Sequence, residues 1–145
     1  MELIAKTFDE LTTQELFEIY KLRTAVFIVE QNCPYQEVDE HDPAALHVWL
    51  RDGDGIAAYM RILPKGCMSE DVAFGRVIAV RRRCGLGTRI VSEGLKLARE
   101  RFKADCIYIE AQNYARGLYE KLGFKKCSDA FDLDGIPHIE MKYYY

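Results

Sequence analysis

No apolar run in the sequence approaches the roughly 20 residues that a membrane-spanning helix needs. The start, MELIAKTFDE, carries acids where a secretory leader is basic and then apolar, so a cytoplasmic protein is expected, with no membrane partner. The five cysteines (Cys33, Cys67, Cys84, Cys106 and Cys127) are odd in number, scattered, and never spaced C-x-x-C. Neither a disulfide framework nor a zinc site is indicated, and most should be small buried hydrophobes or bystanders. An excess of positive charge is also lacking. Twenty Lys and Arg stand against 23 Asp and Glu, a net charge of −3, which offers a nucleic acid no long-range attraction. No linker, repeat or low-complexity stretch divides the chain.

What is present suffices for a core. At 145 residues and 49% hydrophobic, a chain of this size buries roughly 68–70% of its unfolded surface. One domain over residues 1–145 is expected.

Residues 3–8, LIAKTF, read as a short strand. Thr12-Thr13-Gln14-Glu15 is a capping box, because the Thr12 hydroxyl and the Glu15 carboxylate can each satisfy an orphan amide at a helix start. Leu16, Ile19, Tyr20, Val26 and Phe27 then recur at near-helical spacing to about Val29. The prolines and acids of QNCPYQEVDEHDP end the pattern in a long loop. Asp52-Gly53-Asp54-Gly55 between two apolar runs signals a hairpin, since glycine accepts the positive φ of a tight turn. VAFGRVIAV (72–80) is a further strand. Val91, Leu95, Ala98 and Phe102 share one face of a helix from about Gly87 to Phe102, which should pack on a sheet. CIYIEA (106–111) is a strand, YARGLYEKLGF a short helix closed at Gly123, and the tail makes two strands around Asp134-Gly135. The order β-α-β-β-β-α-β-α-β-β implies an α/β (α+β) domain, with antiparallel hairpins first and a βαβ unit in the second half.

The chemistry concentrates in RRRCGLGTR (81–89). A strand ends at Val80, Arg82-Arg83-Cys84-Gly85-Leu86-Gly87 follows, and a helix begins. Helix-start amides point outward there, at the positive end of the dipole, where phosphate binds. A glycine lets a ligand approach the main chain, and an arginine beside the turn pairs with phosphate oxygens. A Walker A loop would need Gly-Lys-Ser/Thr, whereas Gly87-Thr88-Arg89 has no lysine. The dinucleotide fingerprint would need a third glycine where Ile90 stands. Alone, the two glycines are as well explained by a plain turn, and the arginines by a solvated bend.

The second half of the chain decides between these readings. Arg82-x-x-Gly85-x-Gly87 after a strand, Asn113 at the end of the next strand, then Tyr119 and Gly123-Phe124 resemble the acetyl-CoA signature of the GNAT superfamily of N-acetyltransferases. LRTAVFIVEQNCPYQEVDEHD (22–42), GRVIAV (75–80), and YEKLGF with DGIPHIEM (119–141) are similar to its ElaA-like branch. Two features depart from the pattern. Arg83 stands where many members have glycine, and the connection from Val80 to Arg82 is shorter than usual.

The resemblance implies the GNAT acyl-CoA N-acyltransferase fold, a mixed and mostly antiparallel sheet flanked by helices, with acetyl-CoA as co-substrate. It places the pyrophosphate on Arg82, Arg83, Cys84, Gly85, Leu86, Gly87 and Thr88. The pantetheine arm would lie between the backbone of Ile78, Ala79 and Val80 on one side and Asn113 on the other, with an amide near Val80 receiving the oxyanion. Tyr119 is implied as the acid that protonates the departing thiolate. Glu110, His138 and Glu30 are candidates for the base, and a water relay would serve as well. Arg23, Glu30, Arg76 and His138 are candidate acceptor-pocket residues, although an ion pair explains Arg23 and Arg76 almost equally well. The acids Asp39, Glu40 and Asp42 show no regular ligand spacing and are expected to be hydrated, so no metal is expected.

An N-acetyltransferase acting on a small-molecule or protein amine is therefore expected, as a monomer or homodimer. Its rival is a non-catalytic acyl-CoA-binding regulatory module of the same fold. A nucleic-acid binder using Arg81, Arg82, Arg83 and Arg89 is disfavoured by the acidic balance.

Overall fold

The computed structural model describes residues 1–145. The chain begins with strand β1 (Glu2–Thr7), and helix α1 (Thr13–Arg23) starts as the capping box requires. The Thr12 hydroxyl accepts from the Glu15 N–H at 3.1 Å, and the Glu15 carboxylate accepts from the Thr12 N–H at 2.8 Å. The helical path continues to Glu30, but Thr24–Glu30 widens into π-helical turns, with Gln31 N–H bonded to Val26 O and Cys33 N–H to Ile28 O. Apolar spacing alone does not register that extra residue per turn.

Strands β2 (Leu46–Asp52) and β3 (Gly55–Leu63) form the expected hairpin, followed by β4 (Val72–Ala79). Helix α2 (Leu86–Phe102) crosses to β5 (Cys106–Gln112), and the short helix α3 (Arg116–Lys121) leads into β6 (Lys125–Lys126), β7 (Phe131–Leu133) and β8 (Ile136–Tyr144). The strands form one sheet in the order β1-β2-β3-β4-β5-β8-β6, with β7 also paired to β8. Only β4 and β5 run parallel, joined by α2. The predicted element order is observed, with the two-residue β6 added.

Alternation along the strands divides the core. Val48, Met60, Ile62, Phe74 and Ile107 meet Ile90, Val91, Leu95 and Ala98 of α2 on one face. Trp49, Tyr59 and Ile78 meet Ile19 and Phe27 on the other. Each buried Val, Leu, Ile, Phe or Met among them stabilises the fold by about 1.5–3 kcal/mol. Gly94 is needed where α2 crosses β3, because a Cβ there would lie 2.6 Å from Met60 Sδ and 3.4 Å from Phe74 Cε2.

A buried ion network holds the loop between Gln31 and Ala45. Arg23 is fully buried and donates to Glu37 through Nε at 2.7 Å, and to Asp42 through Nη1 at 2.7 Å and Nη2 at 3.0 Å. Arg61 reaches Asp39 at 2.7 Å and Asp42 at 2.9 Å. Arg76 adds bonds to Glu37 Oε1 at 3.1 Å and to the Glu37 carbonyl at 2.8 Å. Three arginines thus meet three carboxylates, and the local charge closes. His47 completes the cluster: Nε2 donates to the Asp42 carbonyl at 3.0 Å, which leaves Nδ1 to accept from the Tyr59 hydroxyl at 2.7 Å. Burial lowers the pKa of His47 and raises that of Tyr59.

This network corrects two expectations. Arg23 lines no pocket, because it has no exposed surface and its donors are taken. Asp39 and Asp42 are not simply hydrated acids but partners of buried arginines.

Candidate active site

The β4–β5 ladder covers only Val72–Phe74 against Ile107–Ile109. Beyond it, β4 stays with β3 up to Ala79 and β5 stays with β8 up to Gln112, so the two strands part and leave an open seam. A bulge causes the turn of β4. Pairing with β3 shifts register between Tyr59 and Arg61, and Arg76 adopts φ +54°. Its guanidinium is anchored on Glu37 and packs 5.7 Å from the Tyr35 ring, which fixes the bulge to the loop above it. Arg76 is thus bound into the network, with its side chain about one-fifth exposed.

Hydrogen bonding assigns the amides along this seam. Val80 N–H donates to Ala57 O at 2.9 Å and is not free to receive an oxyanion. Strand alternation turns the Ala79 amide to the opposite edge, toward β5. At this end of β4 the amide that faces the seam is therefore that of Ala79 and not that of Val80.

At the end of β4 the chain turns through Arg81–Gly85, all exposed, into α2. Arg83 has φ +60° and Gly85 φ +74°, both left-handed. That conformation is one that glycine adopts without strain and arginine does not. Gly85 is the N-cap, and no side chain caps the helix, so the first amides of α2 keep their anion-binding capacity. Leu86 is buried, leaving only its main chain for a ligand, whereas Cys84 and Thr88 are exposed. Gly87 has a packing role beside the phosphate role its motif suggests. A Cβ there would lie 2.7 Å from Leu118 Cδ1, so its missing side chain serves the α2–α3 contact. Arg82 Nη2 lies 2.7 Å from Glu30 Oε1 in an exposed ion pair, which links the loop to the exit of the first helix, where Glu30 stands as a candidate base.

Asn113 is exposed at the end of β5 and begins a short 3-10 turn. Tyr119 is placed by the end of α3. Phe124 N–H bonds to Tyr119 O and Gly123 N–H to Glu120 O, with Gly123 at φ +103°, a Schellman closure. Its hydrophobic contact is Tyr119 against Phe124, edge to face at 5.6 Å. The Tyr-x-x-x-Gly-Phe spacing is thus a device that locks Tyr119. Burial raises the pKa of its phenol, so it holds its proton at neutral pH.

Glu110 and His138 share the sheet face on the loop side, on neighbouring strands β5 and β8. Burial raises the pKa of Glu110 against the hydrogen bond it accepts from Tyr108, and the charge of nearby Glu140 adds to the rise while His138 opposes it. His138 Nδ1 lies 2.7 Å from the Ile136 carbonyl; since a carbonyl only accepts, Nδ1 carries a proton, and in the neutral ring Nε2 is then the acceptor. Gln31 and Gln112 exchange amide bonds of 3.3 and 3.2 Å, joining the helix exit to the end of β5. Cys33 Sγ reaches Asp134 O at 3.2 Å, so the loop also rests on the tail hairpin. Sequence reasoning missed Glu37, Arg61, His47 and Glu140, whose partners are distant in the chain and leave no local signal.

The chain matches the family model described as "Acetyltransferase (GNAT) domain" over residues 8–145. It is 41% identical to a UPF0039 protein of Schizosaccharomyces pombe, over 98% of this chain and 96% of that one. The crystal structure of Escherichia coli ElaA superposes with a TM-score of 0.91 at 33% identity, covering 98% of each chain. That of an acyl-CoA N-acyltransferase from Pseudomonas aeruginosa gives 0.90 at 32% identity, covering 99% of each. These likenesses bear out the fold and the ElaA-like resemblance: the chain belongs to the GNAT acetyltransferase family.

Proposed function

We propose that this protein transfers the acetyl group of acetyl-CoA to a primary amine, within one domain spanning residues 1–145. The observation that carries the reading is the parting of β4 from β5 after Phe74 and Ile109, directly ahead of an uncapped helix start. A seam with free strand edges suits an extended amide-bearing arm, and helix amides suit its diphosphate. Arg82, Arg83, Cys84, Gly85, Leu86, Gly87 and Thr88 hold the pyrophosphate, and Ile78–Val80 and Asn113 flank the arm.

In the reaction the amine nitrogen attacks the thioester carbonyl carbon. The C–N bond forms, the amine proton passes to a base, and the carbonyl oxygen takes negative charge facing the Ala79 amide. The C–S bond then breaks, and the thiolate takes the Tyr119 proton. His138 Nε2, with its tautomer set by Ile136, is the better-poised base, and Glu110 is its alternative.

The test is release of free coenzyme A thiol from acetyl-CoA across a panel of amines. Amine-dependent release supports the transferase. Saturable coenzyme binding without release by any amine would instead indicate a non-catalytic module.

A further inference from the structure

The seam's acceptor side holds a carboxylate pair that no lysine or arginine of the protein neutralises; Glu110 is hydrogen-bonded to Tyr108. Glu110 and Glu140 are direct cross-strand partners in the β5–β8 ladder. The Glu140 main chain turns the other way, its carbonyl accepting from Cys127 N–H at 2.9 Å and its N–H donating to Ser128 Oγ at 2.9 Å. The 110/140 pair is therefore of the narrow, non-hydrogen-bonded kind, in which side chains stand closest and like charges repel.

Elsewhere this protein neutralises its buried acids itself, with Glu37, Asp39 and Asp42 bound to arginines at 2.7–3.4 Å. Glu110 and Glu140 take part in none of the molecule's ion pairs. The neighbouring cation, Lys142, is drawn instead to Asp71 at 3.2 Å. A second observation points into the same place. His138 is 8% exposed, its Nδ1 is engaged, and its Nε2 makes no bond within the protein. Alternation along β8 puts it on the face shared by the two carboxylates.

Resting on the transferase reading above, we infer that the acceptor is a linear diamine or polyamine, whose distal ammonium is held between Glu110 and Glu140 while the reacting nitrogen lies toward His138 Nε2. With the reacting nitrogen neutral, the distal ammonium still brings the carboxylate pair a cation that the protein's own Lys and Arg side chains do not. A monoamine, whose one nitrogen is the reacting one, leaves the pair's repulsion standing.

The test compares kcat/KM for putrescine with that for aminobutanol, its singly charged isostere, by thiol release from acetyl-CoA. Calorimetric titration of putrescine gives a readout that does not need turnover. The expected preference for putrescine is roughly tenfold or more, falling to near parity in Glu140→Gln, which melts cooperatively and still binds coenzyme A. Equal efficiencies for the two acceptors in the unmodified protein, with turnover present, overturn this inference alone. Absence of thiol release with any amine and of heat with putrescine, in folded protein, overturns the transferase reading as well.

Discussion

Asp42 Oδ1 lies 2.7 Å from Arg23 Nη1, and neither side chain has exposed surface. The pair joins the first helix to the start of the first hairpin, and Asp42 also takes Arg61 at 2.9 Å. Replacing Asp42 with alanine leaves two buried guanidiniums short of a partner, a change that costs about 3–5 kcal/mol. Denaturant unfolding of Asp42→Ala should show that loss, and Arg23→Ala should cost a similar amount. Leu16→Ala, partly exposed on α1, should cost less.

The same acid sets an acid limit on stability. Burial pushes the Asp42 carboxyl up, but the bond and charge of Arg23, with Arg61, outweigh this and hold it at about 2 against an ordinary 3.8. A depressed carboxyl contributes stability above its unfolded value and loses it as pH falls through the folded one. About 2 kcal/mol should therefore disappear between about pH 4 and about pH 2, with Asp39, also depressed, contributing in the same direction. Glu110 acts oppositely, since its raised carboxyl costs stability at neutral pH and the cost vanishes on protonation. Melting temperature against pH should fall less steeply below pH 4 in Asp42→Asn than in the unmodified chain.

Arg83 sits at φ +60° and makes no hydrogen bond or ion pair through its side chain. Glycine accepts this conformation without the Cβ penalty of about 1 kcal/mol. Arg83→Gly should leave stability unchanged or raise it by up to about 1 kcal/mol, whereas Arg83→Val, β-branched, should lower it. Chemical denaturation midpoints of the two variants would separate backbone strain from any charge effect.

Tyr119→Phe removes a hydroxyl that bonds to nothing within the protein, while the ring that packs on Phe124 remains. Stability should move by less than about 0.5 kcal/mol. If the phenol protonates the thiolate, kcat should fall by roughly a hundredfold or more, with coenzyme A affinity within about threefold. An unchanged kcat would remove Tyr119 from the chemistry.

What the sequence disclosed was local. Thr12 and Glu15 satisfy each other across three residues, Asp52 to Gly55 form their own turn, and Gly123 closes the helix that carries Tyr119. Each signal needs only its neighbours, so each is legible in the order of residues alone. The buried cluster is not, because Arg23, Glu37, Asp42, Arg61 and Arg76 come together only through tertiary packing. An arginine in an apolar helix then looks like a pocket residue or an ion pair at the surface. Gly87 shows a related limit, since its motif points to phosphate but does not disclose that Leu118 packs beside it. The amide at Val80 could be assigned only from the register of β3 against β4.

The central claim is that main-chain amides at the start of α2 receive the coenzyme's diphosphate. Mapping backbone amide chemical shifts during titration with coenzyme A tests it most directly. The largest saturable shifts should fall in residues 82–88, with a second set at 78–80 and 113. Shifts absent from 82–88 in the folded protein, or confined to other basic surface positions, would contradict the account.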